Sequence, residues 1–286
     1  MDRTELLTGR PMYYRHSGAV GPTGLVLVPG LALAAALVLT GIYAGVIYIL
    51  IKTEIPYGAM LGALAGLGLG AMIGLAATWA GRIGKARNSW LVCGAAAAAG
   101  LLSLYLAWAA MVHFETGRWV WGLGDLLRIF AQGGDVILAL LDAAMILFGA
   151  IACAYLFVGT TPFCEACGVW CRKESLKPFS PVDNPNALRA DLESCNLKAL
   201  SGFRRLEAAE GAWTEFELCT CPACENLRTL TIRATQTTGG KQPKVKTKTI
   251  LKHLIVAREV HDLVRSLGKA APAAPEAPVS PAAGRG

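Results

Sequence analysis

The sequence predicts an α-helical membrane protein with four transmembrane helices, followed by a small α+β soluble domain. Of the 286 residues, 54% are apolar and only 16% are charged, and the mean hydropathy is +0.45. This composition is typical of integral membrane proteins. The average hides a sharp division, because long apolar runs lie between Gly24 and Gly159, whereas charged and polar residues alternate normally from Thr160 onward. We therefore expect a membrane half and a soluble half.

Four apolar runs define the membrane half. Crossing the hydrocarbon core takes about 20 apolar residues, and each run meets that length. We predict a polar N-terminus over residues 1–23 and a transmembrane domain over residues 24–160. The first run is too long for the core of a signal peptide, so it is expected to be an uncleaved anchor. The spans are predicted at about residues 25–51, 57–80, 90–112 and 136–159.

Basic residues predict the orientation of these helices, because Lys and Arg concentrate on the cytoplasmic side of a membrane. Four spans leave both termini on one side, which carries more basic residues than the other. We predict both termini in the cytoplasm, and the net charge of +7 then needs no nucleic-acid partner. The basic residues are Arg3, Arg10, Arg15, Arg82, Lys85, Arg87, Arg172, Lys173 and Lys177 on the first side, and Lys52, Arg118 and Arg128 on the second.

The second span carries glycine at every fourth position. Residues four apart lie on one face of a helix, so this face has no side chains, and small-residue faces let membrane helices approach closely. The pattern predicts either packing within the four-helix bundle or a homo-oligomer contact, with a glycine-lined pore as a third alternative. The residues of this glycine zipper are Gly58, Gly62, Gly66, Gly70 and Gly74.

Two features interrupt the apolar pattern near the fourth span. Apolar residues between Leu126 and Phe130, next to Asp125 and Arg128, predict a short interfacial helix. Asp142 is the one carboxylate within the apolar runs, and an acid inside a membrane suggests a functional role. We nevertheless expect the core of this span to lie over residues 143–162, which would place Asp142 at the membrane interface.

Two Cys-x-x-Cys pairs dominate the soluble half. Cys164 and Cys167 form the first pair, and Cys221 and Cys224 form the second. Four thiolates are the number that a tetrahedral structural Zn²⁺ requires, so we predict a zinc-ribbon-like domain over residues 161–267. The 53 residues between Cys167 and Cys221 exceed the about 15–20 of a compact site. A longer loop adds only about 1 kcal/mol of closure entropy.

Other interpretations of the cysteines stay open. A redox-active Cys-x-x-Cys would need a thioredoxin-like βαβ setting, for which the sequence offers no pattern. Cys171, Cys195 and Cys219 are surplus thiols, which either are buried and idle or replace one of the four expected ligands. Cys93 and Cys153 lie in the spans and are expected to behave as small apolar residues.

Periodicity predicts the remaining elements of the soluble half. Alternation after Cys224 predicts a strand over residues 229–234, and Gly239-Gly240 is expected to turn the chain into a second strand over residues 244–249. The insert over residues 186–207 shows helical spacing, and residues 250–267 predict a closing helix. His253 and His261 on that helix are expected to be surface residues rather than ligands. The tail over residues 268–286 is Ala/Pro-rich and predicted to be disordered.

A basic edge accompanies the predicted hairpin. Lysines alternate with apolar and Thr residues along the second strand, which is one way in which exposed strands avoid pairing with other chains. Contact with anionic lipid is the alternative interpretation. The residues are Lys241, Lys244, Lys246 and Lys248.

Three short motifs stand out along the chain. They are Tyr14-Arg15-His16-Ser17-Gly18, Gly84-Lys85-Ala86-Arg87-Asn88, and the run from Cys221-Pro222-Ala223-Cys224 through Leu227 to Thr229-Leu230-Thr231. Together they resemble an uncharacterised family of bacterial multi-pass membrane proteins with a cytoplasmic cysteine-rich C-terminus. The extra thiols Cys171 and Cys219 depart from a simple version of this pattern. The resemblance implies a location in the bacterial inner membrane and implies no reaction.

No nucleophile–base pair, phosphate-binding loop or HExxH motif occurs in the sequence. We therefore expect a non-enzymatic adaptor or scaffold, whose zinc-stabilised domain binds a cytoplasmic partner or the membrane surface. A transporter or channel for a small solute or ion is the alternative, and it would need polar groups such as Asp142 along the spans. A membrane thiol oxidoreductase is a third hypothesis, which needs an exposed cysteine of low pKa.

Overall fold

The computed structural model describes residues 13–53, 57–133, 136–194, 196–209, 211–238 and 244–269. The described chain forms two compact units. The helical unit comprises residues 16–160, and the sheet unit comprises residues 13–15 together with residues 161–269. Arg3, Arg10, Cys195, Gly239-Gly240, Lys241 and the predicted tail from residue 270 onward lie outside the described residues.

The helical unit contains four helices that are long and apolar enough to cross a membrane. Within the described residues, they confirm the predicted number of candidate spans. A shorter helix precedes the last of them, at the place where the sequence predicts one; its interfacial location stays a prediction. The helices are α1 (Pro22–Lys52), α2 (Gly58–Ile83), α3 (Ser89–Thr116), α4 (Leu123–Gly133) and α5 (Val136–Phe157).

Local sequence explains where α1 and α3 begin and where α3 ends. Pro22 occupies the first turn of α1, where the missing N–H of proline removes no helical hydrogen bond. Asn88 precedes α3, and its side chain accepts a hydrogen bond from the Leu91 N–H at 3.2 Å, which caps the helix. Gly117 follows α3 with φ of +70°, a left-handed conformation that glycine adopts without strain.

The glycine face of α2 packs mainly against α5. Cβ atoms added at Gly70 and Gly74 would run into the carbonyl oxygens of Ile146 and Ala150. The contact is reciprocal, since a Cβ at Gly149 would lie 2.5 Å from the Leu67 carbonyl oxygen. Three of the predicted glycines, Gly66, Gly70 and Gly74, therefore lie at a close contact within the chain. A Cβ atom added at Gly62 would instead lie near Ile47 of α1, and one added at Gly58 would lie 4.0 Å from the Leu50 carbonyl oxygen.

The expected helical span over residues 143–162 is wrong, whereas the interfacial location of Asp142 stays a prediction. α5 ends at Phe157, so residues 143–162 do not form one helix. Asp142 lies six residues into α5, about 9 Å along its axis at 1.5 Å per residue. Its Oδ1 atom accepts a hydrogen bond from the Tyr43 hydroxyl of α1 at 2.5 Å. The partly buried acid thus has a hydrogen-bond partner on a neighbouring helix of the bundle.

The sheet unit is built on a short hairpin and a four-stranded antiparallel meander. The hairpin consists of β1 (Phe163–Cys164) and β2 (Val169–Trp170). The meander has the order β3-β4-β5-β6, formed by Arg172–Phe179, Ala212–Thr220, Arg228–Thr238 and Lys244–Ile255. The helices are α6 (Pro185–Glu193), α7 (Lys198–Ser201) and α8 (Arg258–Lys269).

One face of the meander forms the hydrophobic core of this unit. Phe179 and Phe216 meet edge to face, with ring centroids 4.9 Å apart. Leu188, Leu200 and Val264 bring α6, α7 and α8 onto the same cluster. Burying these large apolar side chains stabilises the unit.

The predicted closing helix is partly wrong. β6 continues to Ile255, and the helix begins only at Arg258. Residues 250–255 are apolar enough to fit either structure, and pairing with β5 selects the strand; Leu254, for example, pairs with Leu230. His253 therefore lies in a strand. Strands β3 and β4 were not predicted, whereas the helical spacing within residues 186–207 is confirmed by α6 and α7.

The N-terminal segment joins the sheet unit, although the sequence gives it no strand pattern. Tyr13 pairs with Leu254 in an isolated antiparallel bridge. The Tyr14 N–H donates to the His253 carbonyl oxygen at 2.9 Å. A segment about 240 residues away in the sequence thus extends the β6 edge of the sheet.

We expect Gly70→Ala to lower the stability of the detergent-solubilised protein by about 1–3 kcal/mol, because the new methyl group meets the backbone of α5. Gly68→Ala is the matched control, since nothing lies within 4 Å of its Cβ position on the same helix. The control should leave stability unchanged or raise it by up to about 1 kcal/mol. Thermal unfolding of both variants measures the difference, and equal stabilities would contradict the observed α2–α5 contact.

Candidate metal centre

The first cysteine turn lies in the β1–β2 hairpin. Cys164 ends β1, and Cys167 lies in the turn before β2. The Gly168 N–H donates to the Cys164 carbonyl oxygen at 2.8 Å. Gly168 has φ of +64°, which glycine adopts without a steric cost. This glycine closes the turn and directs both thiols to the same side.

The second turn connects β4 to β5 and repeats this geometry. The Glu225 N–H donates to the Cys221 carbonyl oxygen at 3.1 Å. Glu225 has φ of +53° and occupies the position equivalent to Gly168, four residues after the first cysteine. The Cys221 N–H also donates to the Leu227 carbonyl oxygen at 3.0 Å. Two turns of the same shape thus present two thiols each.

The structure brings the four predicted ligands together. The sulfur atoms of Cys164, Cys167, Cys221 and Cys224 all lie within 4.8 Å of one another. Cys164 Sγ and Cys224 Sγ are 3.7 Å apart. Four sulfurs about 2.3 Å from a tetrahedral metal ion would be about 3.8 Å apart. The cluster therefore has the dimensions that permit a metal ion.

The cluster is shielded on one side and accessible on the other. Cys164 and Cys221, the first cysteine of each turn, are 4% and 0% exposed, whereas Cys167 and Cys224 are half-buried. A structural metal site has this character, because the fold closes around the ion while the turns remain at the surface.

Backbone hydrogen bonding favours a thiolate at Cys224. The Asn226 N–H lies 3.4 Å from Cys224 Sγ and, with the neighbouring thiols, lowers the pKa of Cys224 to about 7. Hydrogen bonding to Cys224 raises the pKa of Cys167 to about 12. The backbone donor thus favours the thiolate of Cys224, which is the form that binds metal.

The surplus thiols Cys171 and Cys219 lie next to the cluster without joining it. Both pack against the four cysteines in one buried group, yet neither belongs to the set whose sulfurs lie within 4.8 Å. Burial raises the pKa of Cys171 to about 12 and that of Cys219 to about 11. Their burial in this group indicates that both serve as packing residues. Cys93 and Cys153 lie half-buried in α3 and α5.

Both histidines of the sheet unit are buried, so their expected location on the surface is wrong, and neither belongs to the cysteine cluster. His253 contacts the Thr231 hydroxyl through Nδ1 at 3.3 Å. His261 contacts the Thr220 hydroxyl through Nε2 at 2.8 Å. Hydrogen bonds to threonine satisfy ring nitrogens of His253 in β6 and His261 in α8, which allows both rings to be buried.

Tyr14 supports the first cysteine turn, a role that no pattern in the sequence predicts. Its hydroxyl donates to the Phe163 carbonyl oxygen at 3.1 Å and accepts from the Phe163 N–H at 2.9 Å. Phe163 directly precedes Cys164. Both backbone groups of this residue are therefore held by one side chain from the N-terminal segment. The only sequence signal was its place in a motif on which the family resemblance depends.

A buried ion pair lies on β4, close to the cluster in sequence. Glu217 is 3% exposed, and its Oε2 atom lies 2.7 Å from Lys173 Nζ of β3 and 2.9 Å from an Arg233 nitrogen of β5. Two cations from the flanking strands offset the cost of burying the carboxylate. Glu217 therefore links three strands and is already paired, which indicates a structural role.

No protein-family model matches the chain, and no curated protein or solved structure shows significant similarity to it. The family resemblance of the three sequence motifs therefore stays a prediction. Fold and site define a protein with four candidate membrane helices and a four-cysteine cluster that permits a metal ion.

Tyr14→Phe should weaken metal binding by about 10–100-fold, the usual effect of losing a residue that orients the ligands. The variant keeps the ring and loses both hydrogen bonds to Phe163. Tyr13→Phe is the matched control, because the neighbouring hydroxyl donates to Glu193 of α6 instead. Competition with a chromogenic zinc chelator measures the affinities. Equal affinities of the two variants would exclude a supporting role for Tyr14.

Proposed function

We propose that Cys164, Cys167, Cys221 and Cys224 hold one structural Zn²⁺. Thiolate ligands in a tetrahedral arrangement suit zinc, and the single observation that carries the assignment is the convergence of four sulfurs within 4.8 Å. Zinc binding contributes about 10–16 kcal/mol in small domains. An ion at this position would join the two turns and stabilise the whole sheet unit.

The sheet unit is proposed to be zinc-ribbon-like. Each cysteine turn adjoins an antiparallel strand pair, β1–β2 for the first and β4–β5 for the second. The long insert between the turns contains β3, α6, α7 and β4. Because β3 pairs with β4, backbone hydrogen bonds bring the end of the insert back to the first turn. The insert is therefore not a long unstructured loop.

The chain functions, in this proposal, as a non-enzymatic adaptor or scaffold anchored in the bacterial inner membrane. Four thiolates fill a tetrahedral site and leave no open position for a substrate. The basic residues favour both termini in the cytoplasm, where thiols stay reduced. The zinc-holding unit would then be displayed to a cytoplasmic protein partner or to the inner membrane surface.

Exposed lysines on β6 support contact with an acidic surface. Lys244, Lys246 and Lys248 are exposed along the part of β6 beyond its bridge to Tyr13. Anionic headgroups or an acidic protein surface would complement them, whereas the sequence offers no reason to invoke nucleic acid. Self-association through the glycine zipper would have to use its end near Gly58, because Gly66, Gly70 and Gly74 face α5.

The thiol oxidoreductase hypothesis finds less support in this geometry. An active dithiol has an exposed nucleophile and one resolving partner, whereas here the four thiols converge. Cys224, with its lowered pKa, lies 3.7 Å from Cys164 of the other turn, which suits a shared ion. The transporter alternative gains support from a cavity in the helical unit that Asp142 lines.

Cys221→Ser should reduce the zinc content of the purified protein from about one ion per chain to almost none, because serine is a poor zinc ligand. Cys93→Ser, in α3, is the matched thiol control and should keep the ion. Cys171→Ser should keep it as well, and loss of zinc from that variant would overturn the ligand assignment. Elemental analysis by mass spectrometry measures all three variants.

The same variants test the adaptor role in cells. A photo-reactive residue placed at Lys246 of β6 should form crosslinks to a protein partner or to anionic lipid. These products should disappear in Cys221→Ser and persist in Cys93→Ser, since the partner needs the zinc-held unit. Crosslinks that are unaffected by the loss of zinc, or none at all, would contradict the proposed role.

Green fluorescent protein fused after Lys269 should fluoresce, and alkaline phosphatase fused at the same position should be inactive, because both would lie in the cytoplasm. The excess of basic residues on the side of the termini is the physical reason. Alkaline phosphatase and green fluorescent protein fusions give opposite readouts in the two compartments. A C-terminus outside the cytoplasm would expose the cysteines to oxidation, and would overturn both the orientation and the adaptor proposal.

A further inference from the structure

The helical unit contains a cavity of about 600 Å³. It lies at the end of the bundle where α1 ends, α2 begins and α4 adjoins the start of α5, and all five helices contribute to its lining. Cavities that bind small molecules measure about 300–1,000 Å³. The volume is therefore large enough for an organic ligand and far larger than a single metal ion needs.

The charged side chains that line the cavity are acidic. Asp142 of α5 and Glu115 of α3 both line the cavity, while none of the lining residues that the structure describes is Lys, Arg or His. The Tyr43 hydroxyl adds a further polar group next to Asp142. A ligand of positive charge is the complement of such a site, because a partly apolar cavity strengthens the attraction between opposite charges.

Aromatic rings form much of the remaining wall. Trp108 of α3 and Phe130 of α4 both line the cavity, and their ring centroids are 5.1 Å apart. Aromatic faces attract organic cations, tryptophan most strongly. Small hard cations instead prefer six to eight oxygen ligands, which this mostly apolar lining does not offer.

The bundle holds Asp142 in place from two sides. Tyr43 of α1 donates a hydrogen bond to Asp142 Oδ1 at 2.5 Å. On α2, a Cβ atom at Gly66 would lie 2.5 Å from the same oxygen, so glycine at this position gives the carboxylate its space. An acid within a candidate membrane span is costly and is usually functional. Glycine and tyrosine on separate helices accommodate it here.

We propose that this cavity binds a small organic cation with apolar substituents, with Asp142 as its main charged partner and Glu115 as a second. The positive group would lie between the carboxylates, and the apolar substituents would contact Trp108 and Phe130. The inference concerns the helical unit alone and does not depend on zinc binding by the sheet unit.

Tetraphenylphosphonium and tetraphenylborate test the proposal, because these ions have nearly the same shape and opposite charge. Equilibrium dialysis of the purified full-length protein in detergent should show saturable binding of the radiolabelled cation and much weaker binding of the anion. Equal affinity for both ions would overturn the proposal in favour of an apolar groove occupied by lipid.

Charge-neutralising variants assign the binding to this cavity. Asp142→Asn should weaken cation binding by about tenfold or more without weakening binding of the anion. Glu115→Gln should weaken cation binding to a smaller extent, because Glu115 is exposed and water screens its charge. Asp125→Asn is the control, since this exposed acid of α4 pairs with Arg128 and does not line the cavity.

Glu115→Gln keeps the test informative if Asp142→Asn fails to fold, since an exposed carboxylate contributes little to the stability of the fold. The assignment would be overturned if both variants are folded and both bind the cation as tightly as the parent protein. An equal loss in Asp125→Asn would do so as well, because it would reveal a general surface-charge effect. Thermal unfolding of each variant establishes which of them are folded.

Discussion

The pairing of β3 with β4 is the constraint on which the geometry of the sheet unit depends. Arg172 lies opposite Thr220, so the residue after Cys171 meets the residue before Cys221. This register carries the two cysteine turns to one end of the sheet, although 53 residues separate Cys167 from Cys221. Because the strands fix that distance by backbone hydrogen bonds, the cluster does not depend on the ordering of a long loop.

A metal ion would complete this arrangement rather than create it. The turns already have matching backbone geometry, with left-handed residues at Gly168 and Glu225. The first turn is held by Tyr14 through the backbone of Phe163, and the second by hydrogen bonds of Cys221 and Glu225. Pre-oriented ligands lose less freedom on binding. This organisation suits a permanent structural ion better than a dithiol that must change partners.

The contact between α2 and α5 has a comparable role in the helical unit. Close approach at Gly70 and Gly74 brings the two backbones together, which is how helices pack in lipid without a hydrophobic driving force between them. One turn earlier, Gly66 leaves space for the Asp142 carboxylate. The same row of small residues therefore packs one end of the bundle and accommodates a polar group towards the other, where the cavity lies.

The sequence by itself determined the features that depend on local composition. Four runs of apolar residues specify candidate membrane helices because their length matches the hydrocarbon core. Two Cys-x-x-Cys turns specify the four thiols because a tight turn directs both sulfurs to one side. Only the tertiary structure decided which distant residues meet. Strand β3 begins Arg-Lys-Glu, a polar run without apolar alternation, so its pairing with β4 left no local signal. Tyr14 beside Phe163, and Tyr43 and Gly66 around Asp142, are likewise contacts between segments far apart in the chain, which periodicity cannot reveal because it reports only on neighbours within one element.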